Sequence, residues 1–384
     1  MPRPVIDRLA ARGAEPLHVP ILQPAEPFLD LAGEELRRRV FLAEDERGRV
    51  RCLRPELTIP AARAHIERGR PGPVRYALAG TVFRQRGADG DEFPQAGIEA
   101  IGGEAAGGDA RALADAVALV DELAPGRRAA VTVGDRALHA AVLGAIGVAP
   151  ALLARLTRLH GDAAGMRAAL DPAPSARGAP EDALGADPAL PAPVRAALKA
   201  GDRAALERAI ADAIAAARMG KGARRPAEIA ARLMERHAAR GASVPSEGLS
   251  DAQRGSVDAW LSLECPLDRV AAELDTLSIA TASDDGALGA ALAHHAARLD
   301  ALRDAALDPA SLTFRAALGR SLDYYTGLVF EITARDGAVL AAGGRYDDLL
   351  RLLKAPDPEP AVGFALWLDR LGITLDGTPR ETVR

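Results

Sequence analysis

Three of the chain's four tyrosines fall in one short window near the C-terminal end. Tyr324 and Tyr325 lie in segment 320–331, and Tyr346 lies in segment 342–347, which reads Ala-Gly-Gly-Arg-Tyr-Asp. The residue pattern predicts a strand, a turn and a strand that bring aromatic hydroxyls and two arginines to one place. A tyrosine ring is rigid and carries one hydroxyl, so such a cluster suits a small polar ligand. The alternative is a hairpin with a solvated tyrosine rim, which is the more common fate of an isolated Tyr-Tyr pair.

Composition and charge bound the class of protein. The 384 residues are 48% apolar and only 3% aromatic, which predicts two domains, or one with an insertion, around a core of alanine, leucine and valine. A net charge of −5 argues against a surface devoted to nucleic acid, although it allows a local basic groove. There is no apolar signal core at the N-terminus and no apolar run of membrane-spanning length, so we expect a soluble cytoplasmic protein.

Neither the cysteines nor the histidines are spaced as metal ligands. Cys52 and Cys265 lie far apart, which is typical of buried thiols in a reducing compartment. The histidines of the helical stretches have no partner ligands at suitable spacing, so helix faces and caps are expected for them. We therefore predict no metal site and no cofactor.

Strand patterns occur in two separate parts of the chain. A hairpin over 37–54 and strands over 74–84 and 93–101 are predicted from apolar runs bounded by polar turns. The chain becomes rich in strands again with a run over 312–318. Because helices flank these runs without strict β-α alternation, the pattern predicts an α+β fold with an antiparallel sheet.

A change in composition indicates an insertion. From 148 to 245 alanine, arginine and leucine dominate, with proline-rich breaks, which predicts helices joined by loops. The predicted organisation is a core in two parts, 1–147 and 246–384, separated by a helical insertion at 148–245.

One predicted strand carries polar residues beside a gap. Gln95, Gly97 and Glu99 have even spacing, which places them on one face of the strand. Gly97 leaves space above the sheet between an amide and a carboxylate. This face suits a ligand with an ammonium group and a second donor, and a solvated outer face is the more common alternative for the segment taken alone.

Five blocks of the sequence, in the same order, resemble conserved blocks of histidyl-tRNA synthetases and of their paralogues that do not charge tRNA. The blocks are Leu53-Arg54-Pro55-Glu56-Leu57-Thr58, Phe83-Arg84 with 93–99, 320–325, 343–347 and Trp367-Leu368-Asp369-Arg370. The resemblance covers 15–102 and 312–372. It implies an α+β core of the class II aminoacyl-tRNA synthetase type, with helices flanking an antiparallel sheet.

The resemblance also implies a pocket for histidine. In this family the positions of Glu56, Thr58 and Gln95 take the α-amino group. Those of Glu99 and Tyr325 read the imidazole. The arginine near the substrate carboxylate and phosphate matches Arg320. The implied ligand-binding set is Glu56, Thr58, Arg84, Gln95, Glu99, Arg320, Tyr324, Tyr325 and Tyr346.

The chain departs from the synthetase pattern where ATP and tRNA would bind. Arg86 stands in place of the acid that reads the adenine amino group, and Trp367 stands in place of a glycine that leaves a slot beside the adenine. Asp369 shortens a further acid of the last block. Loop 87–92 carries three acids where contact with phosphates and an acceptor stem calls for basic residues. Only 371–384 follow the last block, so we expect the anticodon-binding domain to be missing.

This combination is similar to the regulatory subunits of ATP phosphoribosyltransferase. These synthetase paralogues partner a short catalytic subunit in the first step of histidine biosynthesis. The resemblance implies no catalysis by the chain itself, support of the partner's activity and feedback inhibition by L-histidine. It further implies a homodimer within a larger hetero-oligomer and no binding of tRNA.

Two other functions stay open at this point. A minimal synthetase-like enzyme could activate histidine or a related amino acid, and the retained Arg84 and Arg320 favour it because both suit phosphate. A scaffold with a vestigial pocket is the other alternative. The clustered carboxylates argue against a scaffold, because unused buried charges cost several kcal/mol.

Overall fold

The computed structural model describes most of the chain. The described residues are 4–31, 33–87, 90–170, 190–216, 226–227, 229–231, 233–234, 249–277, 286–320 and 324–380. Parts of the acidic loop and of the predicted insertion lie outside these ranges. The chain divides into two compact units, one of 1–168 with 249–384 and one of 169–248.

A sheet of nine strands, all within the described residues, organises the larger unit. Its strands, in spatial order, are β1 (Glu15–Pro16), β5 (Val74–Phe83), β6 (Glu92–Ile101), β12 (Ala361–Trp367), β11 (Val339–Arg345), β10 (Leu328–Ala334), β7 (Arg128–Asp135), β9 (Thr313–Arg315) and β8 (Glu264–Pro266). The pairs β1–β5 and β7–β9 are parallel and the others antiparallel. A smaller sheet has the order β2 (Leu22–Pro24), β4 (Val50–Leu53) and β3 (Leu42–Glu44).

Helices accompany the sheets. The described helices before the second unit are α1 (Val5–Ala10), α2 (Glu26–Leu31), α3 (Gly33–Arg37), α4 (Thr58–Arg68), α5 (Ala105–Leu123), α6 (Arg136–Ala145), α7 (Pro150–Arg158) and α8 (Ala163–Leu170). Those after it are α11 (Asp251–Leu261), α12 (Val270–Thr276), α13 (Ala287–Asp304), α14 (Leu349–Leu352) and α15 (Leu368–Leu371), with 3-10 turns at Leu267–Arg269 and Pro309–Ser311. The predicted α+β fold with an antiparallel sheet is confirmed.

The second unit has a small core of its own. Its described helices include α9 (Ala192–Lys199) and α10 (Arg203–Ala216). Leu198 of α9 and Leu206 and Ile210 of α10 are buried in one apolar cluster. Apolar residues that recur at helical spacing therefore give this unit a core, as the period of an amphipathic helix requires.

Buried ion pairs hold four elements of the larger unit together. Arg298 of α13 donates from Nε to Asp109 of α5 (3.0 Å) and from Nη1 to Asp135 at the end of β7 (2.8 Å). Arg345 of β11 donates from Nε to the other oxygen of Asp109 (2.7 Å). The Asp135 carboxylate also accepts from the Leu138 N–H and so caps α6. Because charges buried this deeply are stable only when paired, the network fixes the helices on the sheet.

Arg298→Leu is expected to destabilise the protein by about 3–5 kcal/mol, since it leaves two buried carboxylates short of a cation. The matched control is Arg303→Leu in the same helix, where the ion pair with Asp300 is exposed. It should change stability by less than about 0.5 kcal/mol. Urea unfolding of both variants measures the difference, and equal midpoints would contradict the role of the network.

Candidate functional site

A cavity of about 140 Å³ lies where β6, β11 and β12 meet the start of α4. A cavity of about this size can hold a small ring such as benzene. All nine residues that the resemblance implies as ligand contacts line it, although they come from four separate blocks of the sequence. The structure therefore brings the set together, and the role of each residue toward a ligand stays a prediction.

Glu56 holds the first turn of α4. Its carboxylate accepts from the Thr58 N–H (2.6 Å) and the Ile59 N–H (2.9 Å). These are N–H groups that have no partner within the helix at its N-terminus. Burial raises the pKa of Glu56 in spite of these hydrogen bonds. The residue thus has a structural task, which fixes the position of Thr58 in the cavity.

Glu99 is a carboxylate buried in the middle of the sheet. The Thr58 hydroxyl donates to one of its oxygens (2.5 Å), and the Tyr346 hydroxyl donates to the other. Burial raises the pKa of Glu99 to about 8 against the lowering effect of both hydroxyls. Gly363 on the neighbouring strand makes room, because a Cβ there would lie 1.7 Å from the Glu99 carboxylate.

Gln95 is buried, and neither its amide oxygen nor its amide nitrogen has a hydrogen-bond partner among the described residues. Buried polar atoms in native proteins are nearly always paired. A full amide without partners beside a cavity is therefore typical of a side chain that contacts a ligand.

Three tyrosines form the wall of the cavity. The ring centroids of Tyr324 and Tyr325 lie 5.2 Å apart, and Tyr346 meets Tyr324 edge-on at 5.8 Å. Gly344 lets the Tyr325 ring lie close to β11, since a Cβ there would come within 2.9 Å of that ring. The tyrosine pair and the Gly-Gly-Arg-Tyr block thus pack against each other, and both segments contribute to the wall of the cavity.

Gly97 lines the cavity, as predicted, and has a second role that was not predicted. A Cβ at this position would lie 2.0 Å from the Phe364 carbonyl oxygen of β12. The glycine therefore permits the close approach of two strand backbones as well as opening space above the sheet.

Three arginines line both the cavity and a second, adjoining cleft: Arg39, which pairs with Glu35, and the more central Arg84 and Arg320. Arg84 donates from Nε to the Pro55 carbonyl (2.6 Å), and no carboxylate lies within 4.0 Å of it among the described residues. Burial lowers the pKa of Arg84 to about 10. Arg320 instead donates from Nη1 to Glu331 of β10 (2.5 Å). The junction of the cavity and the cleft is thus suited to an anionic group, with Arg84 as a cation that has no carboxylate in direct contact and is attracted by Glu56 from beyond ion-pair distance.

Two of the residues that depart from the synthetase pattern, Arg86 and Asp369, pair with each other. Arg86 donates from both terminal nitrogens to Asp369 (3.1 and 3.2 Å) and lies over the Phe93 ring at 4.0 Å. Trp367 is buried, with Arg320 and Arg370 over its ring at 5.8 and 5.4 Å. Sequence reasoning found each departure separately and missed the ion pair, because its partners lie 283 residues apart.

Glu331 is a further residue that sequence reasoning missed. A signal was present, because it is the one acid in the apolar strand Leu328–Ala334.

Within the part of the chain that the structure describes, no group of His, Cys, Asp and Glu could hold a metal ion. None of the described helices is long and apolar enough to cross a membrane.

Comparisons with known proteins agree with the geometry. The histidyl-tRNA synthetase family model matches residues 1–244 and 182–371. The ATP phosphoribosyltransferase regulatory subunits of Allorhizobium ampelinum and Rhizobium rhizogenes are 45% and 44% identical to the chain, over 96% of it and 95% of each relative.

Solved structures show the same fold. An ATP phosphoribosyltransferase regulatory subunit/histidyl-tRNA synthetase from Bacillus halodurans has a TM-score of 0.60 at 21% identity, covering 97% of this chain and 78% of that one. A histidine–tRNA ligase subunit from Alicyclobacillus acidocaldarius has a TM-score of 0.56 at 23% identity, covering 96% and 89%. The predicted class II synthetase-like fold is confirmed. The chain belongs to the histidyl-tRNA synthetase family and, within it, to the ATP phosphoribosyltransferase regulatory subunits.

Glu99→Gln is expected to stabilise the ligand-free protein, with a gain that grows as the pH rises. The folded carboxyl has a pKa of about 8 against an ordinary 4.5. Its stabilising contribution is therefore complete below pH 4.5 and is lost as the pH rises through 8. Glutamine does not titrate, so we expect a gain on the order of 1 kcal/mol or more near pH 8. Thermal unfolding at acidic and alkaline pH measures it, and a gain that shrinks with rising pH would contradict the burial argument.

Glu104→Gln is the control with the opposite sign. The Gly107 and Ala106 N–H groups, which donate to Glu104 at the N-cap of α5, hold the pKa of this carboxyl below its ordinary value. Its contribution is present above the ordinary pKa and is lost as the pH falls. The variant should therefore lower the unfolding midpoint by similar amounts near neutral pH and at pH 8.

Proposed function

We propose that the cavity binds free L-histidine and that the chain thereby conveys feedback to the short catalytic subunit of an ATP phosphoribosyltransferase. The regulatory role comes from the family, and histidine comes from the chemistry of the cavity. The observation that carries the ligand is Glu99, a buried carboxylate beside aromatic rings with a raised pKa. Such a group can share one proton with an imidazole, whose ordinary pKa of about 6.5 is close enough for exchange.

Each part of histidine has a partner in this arrangement. The imidazole lies among the tyrosine rings with an N–H toward Glu99. The α-ammonium group faces the acceptors of Gln95 and Thr58, and the carboxylate faces Arg84 and Arg320. This assignment satisfies the amide of Gln95 and supplies Arg84 with a counter-charge.

The proposal includes no aminoacylation. Arg86 and Asp369 neutralise each other, and the buried Trp367 stands where the resemblance implies a small residue beside the adenine. An adenine amino group needs an acceptor, and at the position of Arg86 it would meet a guanidinium group, which only donates. The competing function, a minimal amino-acid-activating enzyme, is favoured only by Arg84 and Arg320, which would also suit a phosphate.

The proposed assembly is a homodimer within a larger complex with the catalytic subunit, without tRNA. Three large apolar side chains at or beside the small sheet are exposed: Ile21, Leu22 and Leu42. Exposed apolar residues grouped in this way are typical of protein–protein interfaces. A two-fold contact through the small sheet would cover them, and two-fold symmetry is the commonest form of assembly.

L-Histidine should bind the wild-type protein, and Glu99→Gln should weaken the binding about ten- to a hundredfold. The substitution removes one charge-assisted hydrogen bond, which is worth roughly 1.5–3 kcal/mol. Because ligand binding and the effect on the partner are linked, the histidine concentration needed to inhibit the assembled complex should rise in parallel. Calorimetry on the chain and inhibition assays on the complex measure the two effects. Glu104→Gln serves as the control, and equal affinities for wild type and Glu99→Gln would sink the assignment.

The affinity should also pass through a maximum with pH. One proton is shared between Glu99 and the ring in the complex. Below about pH 6.5 the free ligand carries a proton that must leave on binding. Above about pH 8 the free carboxyl has lost a proton that must be taken up. Affinity should therefore fall on both sides, and Glu99→Gln should lose the alkaline limb while keeping the acid one.

The isolated chain should show no ATP–pyrophosphate exchange with L-histidine or any other amino acid. The reason is that the Arg86–Asp369 ion pair and Trp367 occupy the positions that contact adenine in the synthetase pattern. Exchange is measured with labelled pyrophosphate against a histidyl-tRNA synthetase as positive control. Histidine-dependent exchange above the buffer level would promote the enzyme alternative.

A further inference from the structure

Glu331 is the only acid among the described residues that line the cleft adjoining the cavity. Its neighbours along strand β10 are apolar, and its side chain is 26% exposed on the cleft side. Glu331 shares its strand face with the half-buried Thr333, whereas Phe330 and Ile332 on the other face are buried. Its carboxylate accepts a hydrogen bond from Arg320.

Arg320 belongs to both spaces. It lines the cavity together with Glu99 and Tyr325, and it lines the cleft together with Glu331. Its Nη1 is taken by Glu331, it lies over the Trp367 ring, and its Nε is buried without a partner among the described residues. The guanidinium thus lies between the Tyr325 hydroxyl in the cavity and Glu331 in the cleft, and its Nε donor is not in use among the described residues.

Arg84 and Arg320 are therefore not equivalent. Arg84 has no carboxylate within 4.0 Å among the described residues and interacts with Glu56 only from farther away, whereas Arg320 is in direct contact with Glu331. A ligand carboxylate must share Arg320 with Glu331 and lies near a second negative charge. Like charges in a partly desolvated cleft repel each other, and the effect falls with ionic strength.

We propose that Glu331 competes with the carboxylate of the amino-acid ligand for Arg320 and so limits the affinity of the pocket. This deepens the proposed function and rests on it. As a consequence, the regulator binds its amino-acid ligand more weakly than the same cavity would without Glu331. Glu331 thus adjusts the response to the ligand's α-carboxylate and leaves recognition of the imidazole unchanged.

The test compares L-histidine with L-histidinol, which keeps the ring and the ammonium group but lacks the carboxylate. Glu331→Gln keeps an acceptor for Arg320 and removes the charge. It should tighten L-histidine binding about three- to tenfold and leave L-histidinol binding within about twofold, as measured by calorimetry at low salt. The gain should shrink at high salt. Thermal unfolding confirms that the variant is folded.

A second variant shows whether the effect runs through Arg320. In an Arg320→Met background, Glu331→Gln should change the affinity for L-histidine less than it does in the wild type, since the competed cation is gone. Unchanged or weaker histidine binding by Glu331→Gln, or an equal gain for histidinol, would overturn this inference and leave the proposed function standing. No binding of L-histidine by the wild type would overturn both.

Discussion

A carboxylate buried in the centre of a sheet is the constraint on which the site depends. Glu99 requires donors and space, and the chain supplies them from distant segments: the hydroxyls of Thr58 and Tyr346, and a neighbouring strand position without a side chain at Gly363. The Glu56 carboxylate accepts from an N–H group in the first turn of α4 and thereby fixes the position of Thr58. Even so, burial leaves the pKa of Glu99 at about 8, so the group is costly when ionised and gains from a partner that can share a proton.

In the neighbouring cleft, by contrast, two opposite charges pair with each other. Arg86 and Asp369 pair with each other, and Trp367 lies between two guanidinium groups. Charges that are satisfied internally offer little to a ligand, since binding would first have to break the pair. The cavity thus holds the unpartnered amide of Gln95, and beside it Arg86 and Asp369 pair with each other while Arg86 Nε and Asp369 Oδ1 have no partner among the described residues. This difference is what we expect between the proposed amino-acid sensor and an enzyme that must also bind a nucleotide.

Local patterns predicted much of this architecture. The even spacing of Gln95 and Glu99 placed them on one face, and apolar runs located β5 and β6 to within a residue or two. The strand predicted over 312–318 proved shorter, Thr313–Arg315, because the chain turns where the Leu318 N–H donates to the Arg315 carbonyl (3.0 Å). Contacts between segments far apart in the sequence leave no local pattern. For that reason the Arg298 network and the Arg86–Asp369 ion pair emerged only from the structure.

The most direct test of the account is a crystal structure of the protein grown with L-histidine and ATP together. The account predicts one histidine in the cavity, its imidazole against Glu99 and its carboxylate at Arg84, with the Arg86–Asp369 ion pair intact and no nucleotide beside Trp367. Histidine absent from the cavity would contradict the assignment of the ligand. A nucleotide in the cleft with that ion pair opened would contradict the separation between sensor and enzyme.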